Sequence, residues 1–143
     1  MKRFLFLSSL LIIVSLSSCL PTNGKLTVSD SWSRPAFKGE NGAVYFVIEN
    51  ETNFNVKLQS VNTNIAEDAQ IHMTMVNDQS VMSMEMQEFV EIPSGSEINF
   101  KSGGLHIMLA NLNQDLQVGD TFILSLQFEN AGQTNIEVLV KEQ

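Results

Sequence analysis

The segment Leu105-His106-Ile107-Met108-Leu109 identifies this chain as a β-protein, because its aliphatic residues alternate strictly with His106 and Met108. A period of two is the pattern of a β-strand that packs one face against a core. The aliphatic side chains at 105, 107 and 109 are therefore expected to face the core. His106 and Met108 then project together from the other face, which makes them candidates for a functional site.

The chain after residue 25 consists of further segments of this kind. Short runs rich in Val, Ile, Phe and Leu are separated by turn residues at the spacing typical of a sandwich or small barrel, and we find no convincing helical period. The predicted strands are 26–34, 43–49, 56–63, 70–76, 81–91, 97–101, 105–110, 121–129 and 134–140. A helical turn is expected only around 65–69. These elements predict one all-β domain over residues 26–143, an antiparallel Greek-key β-sandwich.

The N-terminal residues predict export and anchoring. Two basic residues precede Phe4–Leu16, an almost wholly apolar run whose length suits a signal peptide better than a membrane span. Leu16-Ser17-Ser18-Cys19 resembles the lipobox of bacterial lipoproteins, which predicts a signal peptide over 1–18, lipidation of Cys19 and a tether over 19–25. The alternative is ordinary cleavage that leaves a free thiol. We expect a membrane-anchored lipoprotein of the bacterial cell envelope, facing the periplasm or exterior.

The amino-acid composition argues against several classes of function. The net charge of −8 argues against a nucleic-acid partner, because phosphate binding needs a basic surface. A single cysteine cannot form an intramolecular disulfide, a zinc ribbon or an iron–sulfur cluster. No Ser/His/Asp or Cys/His arrangement for nucleophilic catalysis is evident, so we do not expect an enzyme. Methionine, with seven residues, is the type that stands out.

Both histidines lie beside methionines. Five methionines fall within residues 73–86, directly after His72, and Met108 follows His106 by two positions. If strands 70–76 and 81–91 pair with residue numbers that add to 156, His72 faces Met84. A sum of 157 places Met73 opposite Met84 instead, and the sequence leaves both registers open.

Some of these methionines have a simpler explanation. Methionine is a flexible filler of hydrophobic cores, and Met75 together with at least one of Met82 and Met86 is expected to serve that role. On the same reasoning, the whole cluster could belong to a β-sandwich interaction module that binds no metal.

The donor types indicate a soft metal ion. Thioether sulfur is soft and neutral, so it favours Cu(I) over zinc, magnesium or calcium. A blue-copper electron-transfer site also needs a thiolate, and Cys19 is taken by the lipobox. A structural zinc site would normally combine cysteine with histidine. Thioethers withstand an oxidising compartment and bind less tightly than thiolates, which suits a protein that passes its metal on.

The spacing of these residues resembles the signature of the periplasmic copper chaperone family PCuAC (DUF461). His72-Met73 is followed after ten residues by Met84, and after twenty-one more by His106-x-Met108. The likeness extends over residues 26–140 and includes three further segments: Trp32-Ser33-Arg34, Ala43-Val44-Tyr45 and Gly103-Gly104-Leu105.

This resemblance implies a fold, a ligand set and a role. The fold is a cupredoxin-like β-sandwich, and one Cu(I) binds near its surface through His72, Met84, His106 and Met108, with Met73 as an auxiliary ligand. The role is copper supply to a respiratory oxidase, notably the CuA centre of cytochrome c oxidase, with the copper-accepting subunit or its assembly factor as partner. The chain lacks the methionine- and histidine-rich tail of some members, so one principal site on a monomer is expected. The alternative role is copper buffering or tolerance in the envelope.

Overall fold

A computed structural model describes residues 24–76 and 79–142. Within these ranges the chain forms ten β-strands: β1 (Leu26–Ser33), β2 (Gly42–Asn50), β3 (Val56–Asn62), β4 (Ala66–Val76), β5 (Met82–Met86), β6 (Val90–Ile92), β7 (Ser96–Phe100), β8 (Leu105–Leu112), β9 (Thr121–Glu129) and β10 (Gly132–Val140). No membrane-spanning helix occurs in this part of the chain. The predicted signal peptide 1–18 and the predicted lipidation site Cys19 lie outside the described residues.

The strands form one continuous sheet in the order β5-β4-β8-β2-β1-β10-β9-β3-β6, and β7 pairs with the second half of β2. Neighbouring strands are antiparallel apart from β1 and β10, which run parallel. The sheet folds over itself, since β3 contacts β4 although several strands lie between them in the hydrogen-bonded order. The all-β prediction is confirmed.

The folded sheet encloses one hydrophobic core, which both halves supply. Ile107 and Leu109 of β8 lie in it with Leu124 and Leu126 of β9, all fully buried. The two members of each pair are two positions apart, because alternate side chains of a strand point to the same face. His106 and Met108, which flank Ile107 in the sequence, are therefore directed to the outer face of β8.

Two local expectations were wrong. The region predicted as one strand over 81–91 is divided into β5 and β6, because β5 pairs with β4 whereas β6 pairs with β3. The helical turn expected around 65–69 is the start of β4 instead. Ala66 pairs with Leu112 of β8, and the Asn113 amide donates a hydrogen bond to the Ile65 carbonyl at 3.0 Å. Pairing with β8 therefore continues to the end of that segment and leaves no room for a helix.

Candidate metal centre

The candidate centre lies on the outer face of β8, β4 and β5. On β8 the predicted alternation is present, with Ile107 and Leu109 fully buried in the core and His106 and Met108 on the other side. His106 is nevertheless only 6% exposed. Its imidazole is thus shielded from solvent without being part of the hydrophobic core.

The pairing of β4 with β8 brings the two histidines together. His72 is directly opposite His106, and directly opposed residues of an antiparallel pair point to the same face. Their ring centroids are 6.0 Å apart and their planes are inclined by 53°. Gln70 is opposite Met108 in the same register. Two strands far apart in the chain therefore place both imidazoles and one thioether on a single surface.

The pairing of β4 with β5 corrects both predicted registers. The residue numbers add to 158, so His72 faces Met86 and Met84 faces Thr74. Neither His72 nor Met73 is directly opposite Met84. An even sum keeps Met84 on the same face as His72, one pair further along the strands.

Four other methionines also differ from expectation. Met73 follows His72 and pairs with Leu105 and Glu85, so it lies on the opposite face of β4, and the structure does not bring this predicted auxiliary ligand to the face of the two histidines. Met75, Met82 and Met86, of which at least two were expected in the core, are all exposed. β5 is an outer strand whose five residues are all exposed, so it has no core face for a methionine to fill.

Three of the four predicted ligands line one cleft of about 390 Å³. Met84, His106 and Met108 form one side of it. The other side consists of the loop between β1 and β2 and the start of β2, with Arg34, Pro35, Ala36, Glu40, Asn41, Gly42, Ala43 and Tyr45. His72 is the fourth predicted ligand, and it stands next to His106 at the β4 side of the cleft.

A tight turn fixes the orientation of the His106 ring. Gly103 adopts a φ of +77°, which favours glycine, in the turn that leads into β8. The carbonyl of Gly104 accepts hydrogen bonds from the Thr74 amide at 3.1 Å and from His106 Nδ1 at 3.0 Å. Because a carbonyl only accepts, Nδ1 carries the ring proton and Nε2 carries the lone pair. His106 is therefore prepared to bind a metal through Nε2.

A chain of side chains on β4 fixes the complementary form of His72. Asp68 Oδ2 accepts a hydrogen bond from Gln70 Nε2 at 2.7 Å, and Gln70 Oε1 is 2.9 Å from His72 Nε2. An ionised carboxylate can only accept, so the Gln70 amide turns its oxygen toward the ring and His72 Nε2 must donate. The lone pair is then on Nδ1. That atom is buried and has no hydrogen-bond partner among the described residues.

The surroundings of His72 keep its ring neutral. Burial lowers the pKa of the His72 imidazole from its usual 6.5, and the neighbouring His106 lowers it further. A neutral imidazole with an unpartnered buried nitrogen is costly unless something binds there. Such an atom, on a ring next to His106, is a suitable metal ligand.

The donor set favours a soft cation. No group of three or more His, Cys, Asp or Glu side chains is placed to hold a metal in residues 24–76 and 79–142. The further donors that line the cleft beside His106 are the thioethers of Met84 and Met108. Two imidazoles and two thioethers are all neutral, and such sites prefer Cu(I) to harder divalent ions.

Sequence reasoning missed the residues that support the donors. Asp68 and Gln70 stand four and two positions before His72, on the same strand face, so the period-two rule could have identified them. The loop residues Arg34 and Glu40 that line the cleft gave no such signal, because a loop has no periodicity from which to infer its position.

The sequence is similar to several known proteins. A family model described as "Putative lipoprotein LpqE-like" matches residues 26–140. Uncharacterized protein RP573 of Rickettsia prowazekii is 31% identical over 126 residues, which cover 85% of this chain and 69% of the relative. Putative lipoprotein Lxx21020 of Leifsonia xyli is 26% identical over 133 residues, with 90% and 80% covered.

Solved structures show the same fold. The apo PCuAC domain from PmoF1 superposes with a TM-score of 0.69 at 27% identity, covering 84% of this chain and 96% of that one. The copper-bound PCuAC domain from PmoF2 gives 0.70 at 22% identity, with 84% and 95% covered. The Cu(I)-bound DR1885 of Deinococcus radiodurans gives 0.60 at 23% identity, with 89% and 83% covered. The chain thus has the cupredoxin-like fold of PCuAC domains, and it belongs to the LpqE-like family of this PCuAC (DUF461) group.

Proposed function

We propose that this protein is a copper chaperone that binds one Cu(I) through His72, Met84, His106 and Met108. The observation that carries the proposal is the meeting of these donors from three strands on one sheet face, with the two imidazole centroids 6.0 Å apart. His72 Nδ1 and His106 Nε2 hold the free lone pairs, and the two methionines add neutral soft sulfur. Two structures of similar fold, the copper-bound PCuAC domain from PmoF2 and Cu(I)-bound DR1885, support the proposal.

The mode of binding follows from the ligand chemistry. Four neutral donors leave the single positive charge of Cu(I) uncompensated, so the ion is held less firmly than by thiolates. Neutral donors can be exchanged one at a time without proton transfer from the ligand. Met84 of the cleft lies on β5, whose residues are all exposed, which gives an acceptor protein access to this donor. These properties suit a protein that delivers copper rather than one that retains it.

Copper binding is tested by anaerobic competition with a chromogenic Cu(I) chelator. The full-length protein is expected to bind one equivalent. The double variant His106→Ala with Met108→Ala is expected to lose that binding while keeping its far-ultraviolet circular dichroism, because both side chains lie outside the core. Full binding by the double variant would reject the ligand assignment.

We further propose that the protein is anchored in the cell envelope by a lipid on Cys19 and delivers its copper to a CuA-type oxidase centre. The family description as a lipoprotein supports the anchor. Deletion of the gene should lower cytochrome c oxidase activity, and added copper should restore it. Normal oxidase activity with increased copper sensitivity would instead support copper buffering in the envelope. Mass spectrometry of the native protein would show whether Cys19 is acylated.

A further inference from the structure

The outer strand β5 presents a row of three methionines on the face that carries the candidate centre. Met82, Met84 and Met86 are 65%, 59% and 63% exposed, and all three pair with residues on the His72 side of β4. The other face of β5 carries polar residues, Ser83 and Glu85. Three large apolar side chains in a row on an outer strand bury little surface, so packing does not account for them.

The spacing of the row suits the transfer of a soft ion. Alternate residues of a strand are roughly 6.6 Å apart on one face, and methionine has three rotatable side-chain bonds. Neighbouring thioethers can therefore converge on one ion. Met84 is the middle member, and it also lines the cleft with His106 and Met108. Met86 stands directly across from His72. Each outer methionine is thus adjacent to one proposed ligand of the centre.

The position of β5 in the sheet makes the row accessible. Among the described strands β5 pairs with β4 alone, at one end of the sheet, and all five of its residues are exposed. A strand with few buried contacts opens locally at little cost in free energy. His106 and Met108 are on a central strand whose alternate residues are fixed in the core, so the thioethers of β5 are the donors best able to move toward an acceptor.

We propose that Met82 and Met86 form a Cu(I) relay on β5, in which copper entering or leaving the centre is held by Met84 together with one of these two thioethers. This inference rests on the proposed function and concerns the route by which copper moves. In the outward step, a sulfur–copper bond to Met82 or Met86 forms while the bonds to the histidines and Met108 break. Copper remains Cu(I) and every donor is neutral, so no electron moves and no oxidant or reductant is needed.

The relay is tested by the rates of copper exchange in the double variant Met82→Leu with Met86→Leu. Leucine keeps the approximate volume of methionine but lacks the sulfur. Stopped-flow absorbance follows Cu(I) leaving the loaded full-length protein for bathocuproine disulfonate, and the reverse experiment follows loading from a weak Cu(I) complex. The equilibrium dissociation constant is expected to stay unchanged. Both rates should fall by about tenfold, and by the same factor, because the variant alters the barrier and not the end states.

A matched control is available on the neighbouring strand. Met75 is 48% exposed and lies on the opposite face of β4, so Met75→Leu removes an exposed thioether outside the row and should leave both rates unchanged. In the wild-type protein labelled at the methionine methyl groups, substoichiometric Cu(I) should shift or broaden the NMR signals of Met82 and Met86 but not that of Met75.

Three results would overturn the relay. Unchanged exchange rates in the double variant would mean that copper moves by another route. A weakened equilibrium affinity would mean that Met82 or Met86 is a resident ligand. Equal slowing by Met75→Leu would mean that the effect does not depend on the row. A wild-type protein that binds no Cu(I) would refute the proposed function itself, and that result is known before any variant is compared.

Discussion

Replacement of Gln70 by leucine should weaken Cu(I) binding through its effect on His72. In the folded protein Gln70 Oε1 is 2.9 Å from His72 Nε2 and holds the proton there, which leaves Nδ1 free for the metal. Leucine has a similar size but no acceptor. The Nε2–H group then loses its partner, and the ring is free to turn or to move its proton to Nδ1. A protonated Nδ1 has no lone pair and cannot bind the metal.

The expected loss of Cu(I) affinity follows from this single hydrogen bond between Gln70 and His72. A hydrogen bond contributes about 0.5–1.5 kcal/mol, and a buried donor left without an acceptor costs about 1–3 kcal/mol. Loss of a partner that orients a metal-binding histidine typically weakens affinity by about 10- to 100-fold. At about 1.4 kcal/mol for each factor of ten, this range corresponds to about 1.4–2.8 kcal/mol, in agreement with the hydrogen-bond values. We therefore expect the Cu(I) dissociation constant of Gln70→Leu to rise by about 10- to 100-fold.

The assay is anaerobic competition with a chromogenic Cu(I) chelator, and Gln70→Glu is the matched control. A glutamate at this position still offers an oxygen to His72 Nε2 but loses the hydrogen bond to Asp68 Oδ2, so its affinity should fall less than that of Gln70→Leu. Wild-type affinity in Gln70→Leu would refute the reasoning, and so would an equal loss in both variants. Circular dichroism of each apoprotein shows whether the strand arrangement is retained.

Three further predictions concern the ligands and the fold. Met84→Leu should weaken Cu(I) binding by about tenfold or more, whereas Met73→Leu should leave it unchanged because Met73 is on the other face of β4; equal losses measured by the same competition would contradict the assignment. Cu(I) affinity should fall as the pH is lowered through the histidine range, since a protonated imidazole has no lone pair. Because burial lowers the pKa of His72, its contribution to that fall is displaced to lower pH, and a Cu(I) affinity that stays constant from pH 8 to 5 would show that the histidines are not ligands. Asn50→Leu should lower the free energy of unfolding by about 3 kcal/mol or more in urea titrations, because the buried Asn50 amide donates to three backbone carbonyls at 2.9–3.2 Å; a loss below about 1 kcal/mol would show that water replaces the amide there.

The sequence was sufficient to predict the elements on which the centre is built. The alternation around His106 and Met108 predicted their shared outer face, because Ile107 and Leu109 between and beside them can only be satisfied in the core. The strands over residues 105–110 and 121–129 agree closely with β8 and β9. These strands have one buried and one outer face, so the alternation of hydrophobic residues is sufficient to predict their positions and faces.

The supporting contacts were harder to predict, because they depend on side chains that meet across short distances. The period of two places Asp68, Gln70 and His72 on one face, but only the distances of 2.7 and 2.9 Å show that they form a hydrogen-bonded chain. The opposite wall of the cleft is formed by the loop after β1. Its position depends on contacts such as the paired hydrogen bonds between Ala36 and Leu116, which join segments eighty residues apart.

The register of β5 could not be predicted for a physical reason that bears on the proposed function. Register is set where one face of a strand is buried, since a shift by one residue would then expose the core. No residue of β5 is buried, so its pattern of methionines does not distinguish the predicted residue sum of 157 from the observed sum of 158. The same lack of burial means that β5 is fixed mainly by its hydrogen bonds to β4. A donor on such a strand, Met84, is joined to the core less firmly than His106 or Met108. Exchange of copper should therefore begin with a movement of Met84, the donor whose position was least well predicted from the sequence.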